Sequence, residues 1–141
     1  MSISEYLSPF IGRLVLAWFF LAQVSYYGGE WNATISLMTF RGVPVAPLLL
    51  VVVMTLLILG SLSLLFGFHA RYGAMLLFGV TLVATILMHD FWQITGNATA
   101  RQADFDFFAR NIAIAGGLLL LVGMGPGPIA VDNRMVAKKR K

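Results

Sequence analysis

The sequence contains no cysteine, and it has few charged side chains for a chain of 141 residues. The lack of cysteine excludes disulfide bonds, thiolate metal sites and cysteine-bound iron–sulfur clusters on this chain. Charged residues make up 11% of the sequence and hydrophobic residues 59%, whereas a soluble domain carries about 25% charge. Because so few polar side chains cannot cover a water-facing surface, the composition indicates an integral membrane protein.

Histidine is also scarce, since His69 and His89 are the only two. They flank one predicted helix, and twenty helical residues measure about 30 Å, so one haem or metal ion cannot bind both. His89 with Asp90 or Asp106 offers too few ligands, at loose spacing, to indicate a metal site. The sequence therefore predicts neither a metal site nor a covalently bound cofactor.

Four apolar segments are long enough to cross a bilayer, which takes about 17–25 residues. They cover residues of about 10–28, 45–66, 72–89 and 107–124. A segment in hydrocarbon must satisfy its own backbone hydrogen bonds, so each is predicted to be a helix. The short link "GFHAR" predicts an antiparallel hairpin of the second and third spans. The "GPGP" motif is predicted to end the fourth span, and residues 93–103 are predicted to form a polar loop. We predict one membrane domain, an all-α antiparallel four-helix bundle.

The basic residues predict the orientation of these spans. Seven of them fall on the side that holds both termini: Arg13, Arg71, Arg134, Lys138, Lys139, Arg140 and Lys141. Three fall on the other side: Arg41, Arg101 and Arg110. Both termini are thus predicted to be cytoplasmic. The basic tail, residues 133–141, also resembles a nucleic-acid-binding patch, but the adjoining spans favour a topology anchor and no nucleic-acid partner.

The stretch "ILMHDFWQ" ends the third span with polar and aromatic side chains. Thr81, Thr85 and His89 follow one another at intervals of four, so they share one face of a helix. Polar groups within a membrane are costly and usually face the interior of a bundle. We therefore predict one ligand pocket in the outer half of the bundle. Its candidate residues are Gln23, Thr85, His89, Trp92, Arg110 and Asn111.

Each candidate also has an ordinary structural interpretation, which the sequence leaves open. The threonines can bond the carbonyl one turn earlier in their own helix. Arg110 can reach lipid phosphates or pair with Asp106. Gln23 can join two helices by a hydrogen bond. The "HDFW" motif is also what a helix end shows where aromatic residues meet the lipid headgroups.

Several motifs together resemble the DoxX family. They are "GRLVLAWFFLAQ" in the first span, "GVP" followed by "LLILGSLSLLFGFHARYGAMLLF", "HDFW", and "DFFARNIAIAGGLLLLVGMGPGPIAVD" through the fourth span. The resemblance covers most of the chain and implies a four-helix protein of the bacterial inner membrane. It also implies a link to quinone-dependent oxidoreductases, with which some members of that family are associated.

We expect the chain to be an accessory subunit of a membrane oxidoreductase complex, with a protein partner or a second copy beside it in the bilayer. The pocket would bind a quinone or a lipid headgroup. His89 would donate a hydrogen bond to a carbonyl, Arg110 would supply positive potential, and Trp92 would form a wall. The alternatives are a small transporter and an enzyme that borrows its cofactor.

Overall fold

The computed structural model describes residues 3–132, which form five α-helices and no strand. The helices are α1 (Ile3–Gly29), α2 (Trp31–Phe40), α3 (Ala46–Phe66), α4 (Ala70–Met88) and α5 (Ala98–Met124). A single 3₁₀ turn, Phe91–Gln93, lies between α4 and α5. Helices α1, α3, α4 and α5 are long and apolar enough to cross a membrane. The predicted all-α fold with four membrane-spanning helices is confirmed.

The spanning helices pack in the order α1, α3, α4, α5, and α1 touches α5 only sparsely. Helices α3 and α4 approach each other closely because Gly60 faces Leu77 and Gly73 faces Ser63, so an added Cβ would collide at either glycine. Apolar side chains fill the centre: Ala17, Phe20, Leu57, Leu64, Ala70, Ala74, Leu77, Leu118 and Leu121. Small residues at such contacts allow dense packing in the absence of a hydrophobic drive between helices.

The segment after α5 folds back across the end of the bundle that holds the α3–α4 link. Helix α5 ends at Met124, as "GPGP" predicts. The Asp132 carboxylate then accepts hydrogen bonds from the backbone N–H groups of His69 (2.7 Å) and Ala70 (3.0 Å) at the start of α4. Arg13 is 1% exposed and donates to the Ile129 carbonyl. This end, which we call the inner end after the predicted topology, is tied together by polar contacts.

Two helices begin earlier than predicted. Helix α5 starts at Ala98, so the loop predicted over residues 93–103 is wrong from that residue onwards. The Asn97 side chain accepts a hydrogen bond from the Ala100 N–H, which caps the helix. Its 27 residues measure about 40 Å, which exceeds the hydrocarbon core of about 30 Å. Polarity keeps the first turns of α5 out of the hydrocarbon but does not prevent them from being helical.

Helix α1 likewise begins at Ile3 instead of residue 10, because Pro9 removes one N–H donor without ending the helix. The link predicted between the first two spans contains α2, which packs on α3 through Met38, Ala46 and Leu50. The predicted basic anchor, residues 133–141, lies outside the described residues. The cytoplasmic placement of both termini stays a prediction.

Candidate ligand cavity at the outer end of the bundle

A cavity of about 70 Å³ lies among α1, α3, α4 and α5 near the end opposite Arg13, which we call the outer end. Four of the six predicted site residues line it: Gln23, His89, Arg110 and Asn111. Thr81, on the predicted stripe of α4, lines it as well. The remaining walls are apolar or aromatic: Phe19, Phe20, Tyr27, Val53, Leu57, Val80 and Ala84.

The polar walls of this cavity are poorly satisfied by the protein itself. Thr81 is 7% exposed, and its hydroxyl has no hydrogen-bond partner within residues 3–132. Gln23 and Asn111 make no side-chain hydrogen bond in the same part of the chain. A buried polar group without a partner costs about 1–3 kcal/mol. The space exceeds the roughly 10–15 Å³ that one water needs, so polar atoms of another molecule can enter it beside these groups.

Arg110 stands at the exposed rim of the cavity, between α1 and α5. Its guanidinium carbon lies 5.7 Å from the centre of the Phe19 ring and 5.0 Å from that of Phe107. Within the described residues it has no carboxylate partner, since Asp106 accepts a hydrogen bond from Gln102 at 2.8 Å. The considered Arg110–Asp106 pair is therefore not formed. The guanidinium is positioned by aromatic rings, and its donors stay available.

His89 is oriented by Asp104, an acidic residue that was not among the predicted site residues. Its Nδ1 lies 2.9 Å from an Asp104 carboxylate oxygen, and its ring stacks on Phe107. An ionised carboxylate only accepts hydrogen bonds, so the neutral imidazole carries its proton on Nδ1 and leaves Nε2 as an acceptor. The predicted hydrogen bond from His89 to a ligand carbonyl therefore requires the doubly protonated imidazole, and it stays a prediction. The free nitrogen suits a ligand hydroxyl.

Asp104 also faces Arg41, whose Nη2 lies 3.9 Å away, and Arg41 forms an ion pair with Asp90. These contacts join the end of α2, the turn after α4 and the start of α5. Asp104 is not among the predicted site residues, because residues 93–103 were predicted to form a loop and the helix was predicted to begin at residue 107. A helix capped by Asn97 would have placed Asp104 less than two turns before Arg110, on the same element.

Two predicted site residues do not reach the cavity. Thr85 is fully buried, and its hydroxyl donates to the Thr81 carbonyl at 2.6 Å, the ordinary role considered for it. Trp92 is 50% exposed and contacts the rings of Phe91 and Phe108. Its position is that of an interfacial aromatic residue. Residues 3–132 contain no group of three His, Asp or Glu side chains arranged to hold a metal ion.

The sequence is similar to those of several known membrane proteins. It is 30% identical to the inner membrane protein YphA of Escherichia coli over 74% of this chain and 73% of YphA. It is 36% identical to the inner membrane protein YqjF of the same organism, over 57% of this chain and 55% of that protein. A Surfeit locus protein 4 homolog of Schizosaccharomyces pombe is 36% identical over 48% of this chain, which spans 22% of that longer protein. No solved structure matches the chain.

The assignment to the DoxX family, predicted from the sequence motifs, is wrong. The matching relatives are YphA, YqjF and Surfeit locus protein 4 homologs, and the family model of the SURF4 family matches residues 4–140. The expected link to quinone-dependent oxidoreductases followed from the DoxX resemblance, so the family no longer supports it. With four spanning helices and inner membrane relatives, the chain is a multi-pass membrane protein and belongs to the SURF4 family.

Proposed function

We propose that the protein binds the polar head of a membrane amphiphile in the cavity at the outer end. The head carries an acceptor oxygen, as in a lipid phosphate or a quinone carbonyl, which faces the donors of Arg110. The observation that carries the proposal is the unpartnered hydroxyl of Thr81, buried in the wall of the same cavity. Gln23 and Asn111 add amide donors and acceptors around the same space.

The position of Arg110 places a cation at the depth of the cavity, where a head lying in the bilayer can meet it. Helices α1 and α5 touch only sparsely, and Arg110 and Phe19 face each other across the gap between them. A guanidinium held over an aromatic ring can turn towards an anionic or carbonyl oxygen without crossing apolar space. A molecule lying in the bilayer could thus place its head in the cavity while the rest of it stays at membrane depth.

The packing beneath the cavity argues against the alternative of a transporter. Leu64, Leu77 and Leu118 are fully buried between the cavity and the inner end. Arg13, the charged residue buried at the inner end, is engaged with the Ile129 carbonyl. In the described part of the chain the polar groups of the cavity do not continue through this apolar layer. A binding site at one depth fits the packing better than a path across the membrane.

The narrower proposal is that the chain serves a partner oxidoreductase and that the bound head belongs to a quinone. The sequence contains no cysteine and so offers no thiol redox chemistry, which means that in such a role the electrons would have to come from another protein. Purification in a mild detergent tests this part separately. A co-purifying redox protein supports it, whereas a bound amphiphile with no protein partner overturns the accessory role and leaves head binding intact.

The test of head binding is extraction and mass spectrometry of the amphiphiles that co-purify with the protein. Arg110→Ala removes the rim cation, and Arg101→Ala is the matched control, because Arg101 lies on the same helix, is exposed and does not line the cavity. We expect Arg110→Ala to lose most of the bound molecule and Arg101→Ala to keep it. Equal amounts of the same species from both variants would overturn the proposal. Phosphorus content and quinone absorbance distinguish the two heads.

A further inference from the structure

A second, apolar space adjoins the polar cavity. It has a volume of about 360 Å³ and lies among α2, α3 and α4 at the outer end, within the range of about 300–1,000 Å³ typical of small-molecule sites. Tyr27, Val53, Val80 and Ala84 line both spaces, so the two spaces adjoin along these side chains. We call this space the α2 groove, since Thr34 and Met38 of α2 form one of its walls.

Gly79 is the residue of α4 that leaves open space at the wall of the α2 groove. A Cβ added at Gly79 would meet no atom within 4 Å, although this glycine lines the groove. Glycine in the interior of a helix costs about 1 kcal/mol relative to alanine. The sequence thus keeps a less favourable helix residue where a side chain would project into the groove.

The contacts of α2 connect the groove with the polar cavity. Arg41 follows the last residue of α2 and forms an ion pair with Asp90. Arg41 also faces Asp104, which in turn holds the His89 ring at the wall of the polar cavity. The helix that covers the groove is therefore fastened to the residue that orients His89. An occupant of both spaces would contact one continuous set of side chains.

We propose that the α2 groove holds the apolar arm of the same amphiphile whose head occupies the polar cavity; this inference rests on the proposed function and narrows its ligand class. The ligand is an amphiphile with a compact head and one long apolar arm, which lies along the crevice between α3 and α4 beneath α2. The wall of the groove is almost entirely apolar, as an acyl or isoprenoid arm requires. The four shared residues make the two spaces neighbours at the outer end.

The experiment compares long-armed and short-armed probes with the same head. The probes are hexadecyl phosphate with butyl phosphate, and decylubiquinone with its tail-less parent quinone, each titrated into detergent-solubilised protein and followed by native mass spectrometry. Gly79→Leu fills the groove, and Gly116→Leu is the matched control, since Gly116 is also helical and also open to an added Cβ, but lies outside both spaces. Val83→Phe fills the groove from a second position if Gly79→Leu does not fold.

We expect the groove-filling variants to bind the long-armed probe about tenfold more weakly than the wild type, while Gly116→Leu does not change its binding. The short-armed probe should bind all of these proteins equally. If the filled groove weakens neither probe, or weakens both equally, the inference is overturned. Arg110→Ala distinguishes this failure from that of the proposed function, because it must weaken both probes if the head site is correct and neither if it is not.

Discussion

The Nδ1 atom of His89 lies 2.9 Å from a carboxylate oxygen of Asp104, although the two residues stand on opposite sides of the connection between α4 and α5. This pairing sets the tautomer of the neutral imidazole and orients its ring at the wall of the outer cavity. It also makes Asp104 the joint partner of His89 and Arg41. The orientation of His89 at the candidate ligand site therefore depends on Asp104, which does not line the cavity.

Replacing Asp104 with asparagine should destabilise the outer end and loosen the His89 ring. The side chain is 12% exposed. Asparagine keeps an oxygen that can accept from His89 but removes the negative charge that strengthens the contacts with His89 and Arg41, at a cost of about 1 kcal/mol. Asp106→Asn is the control, because Asp106 bonds only Gln102 on the exposed face of α5 and should change stability by less than about 0.5 kcal/mol. Chemical unfolding in detergent measures both. Equal losses in the two variants would contradict the role given to Asp104.

Thr81→Val should separate ligand binding from stability. The substitution keeps the shape of the side chain and removes a buried hydroxyl that has no partner within the described residues. The ligand-free protein should be as stable as the wild type or more stable, by up to about 1 kcal/mol, while the amount of co-purifying amphiphile should fall several-fold. Thr85→Val is the control and should lower stability instead, since its hydroxyl bonds the Thr81 carbonyl. Unchanged amphiphile content in Thr81→Val would count against the cavity as a site.

Gly67→Ala should be one of the most damaging single substitutions at the inner end. Gly67 has a φ of 66°, and a Cβ there would collide with the Arg13 guanidinium and lie 2.8 Å from the Ala130 Cβ. The backbone conformation alone costs about 1–2 kcal/mol for a residue with a side chain, and the collision adds to it. Gly116→Ala, in open space on α5, should instead be neutral or stabilising by up to about 1 kcal/mol. Thermal unfolding of the two variants in the same detergent decides this.

The orientation can be tested with single cysteines, because the chain has none of its own. Thr95→Cys lies in the exposed loop before α5, and Phe68→Cys lies in the exposed link between α3 and α4. A membrane-impermeant maleimide added to intact cells should label Thr95→Cys alone, since the excess of basic residues places the other end in the cytoplasm. Labelling of Phe68→Cys in intact cells, with Thr95→Cys protected, would reverse the topology.

Much of the fold could be predicted because hydrophobic length is a strong signal in a membrane. The four spans, the hairpin link and the stop after Met124 follow from apolar runs, glycine and proline. The start of α5 could not be predicted in this way, because the polar residues from Ala98 onwards form a helix outside the hydrocarbon. A prediction based on the length of apolar runs cannot extend a helix beyond the hydrocarbon. It therefore did not place Asp104 on a helix.

The candidate site, too, could be predicted in part from the sequence. The convergence of His89, Arg110 and Asn111 could be predicted, because α4 ends where the membrane part of α5 begins. The direction of Thr85 and Trp92 could not, because a rotation of one residue decides whether a side chain faces a cavity, its own helix or lipid. The pairing of His89 with Asp104 depends on tertiary structure alone, since nothing in the local sequence selects Asp104 over Asp90 or Asp106.

The most direct test of the central claim is a crystal structure of the protein purified without removal of its bound amphiphiles. We expect electron density for a polar head in the cavity among α1, α3, α4 and α5. An acceptor oxygen of that head should lie at hydrogen-bonding distance, about 2.7–3.2 Å, from the Arg110 guanidinium, with Thr81 Oγ1 bonded to the same molecule. A cavity that holds only water, with Arg110 turned towards the bulk lipid phosphates, would contradict the claim.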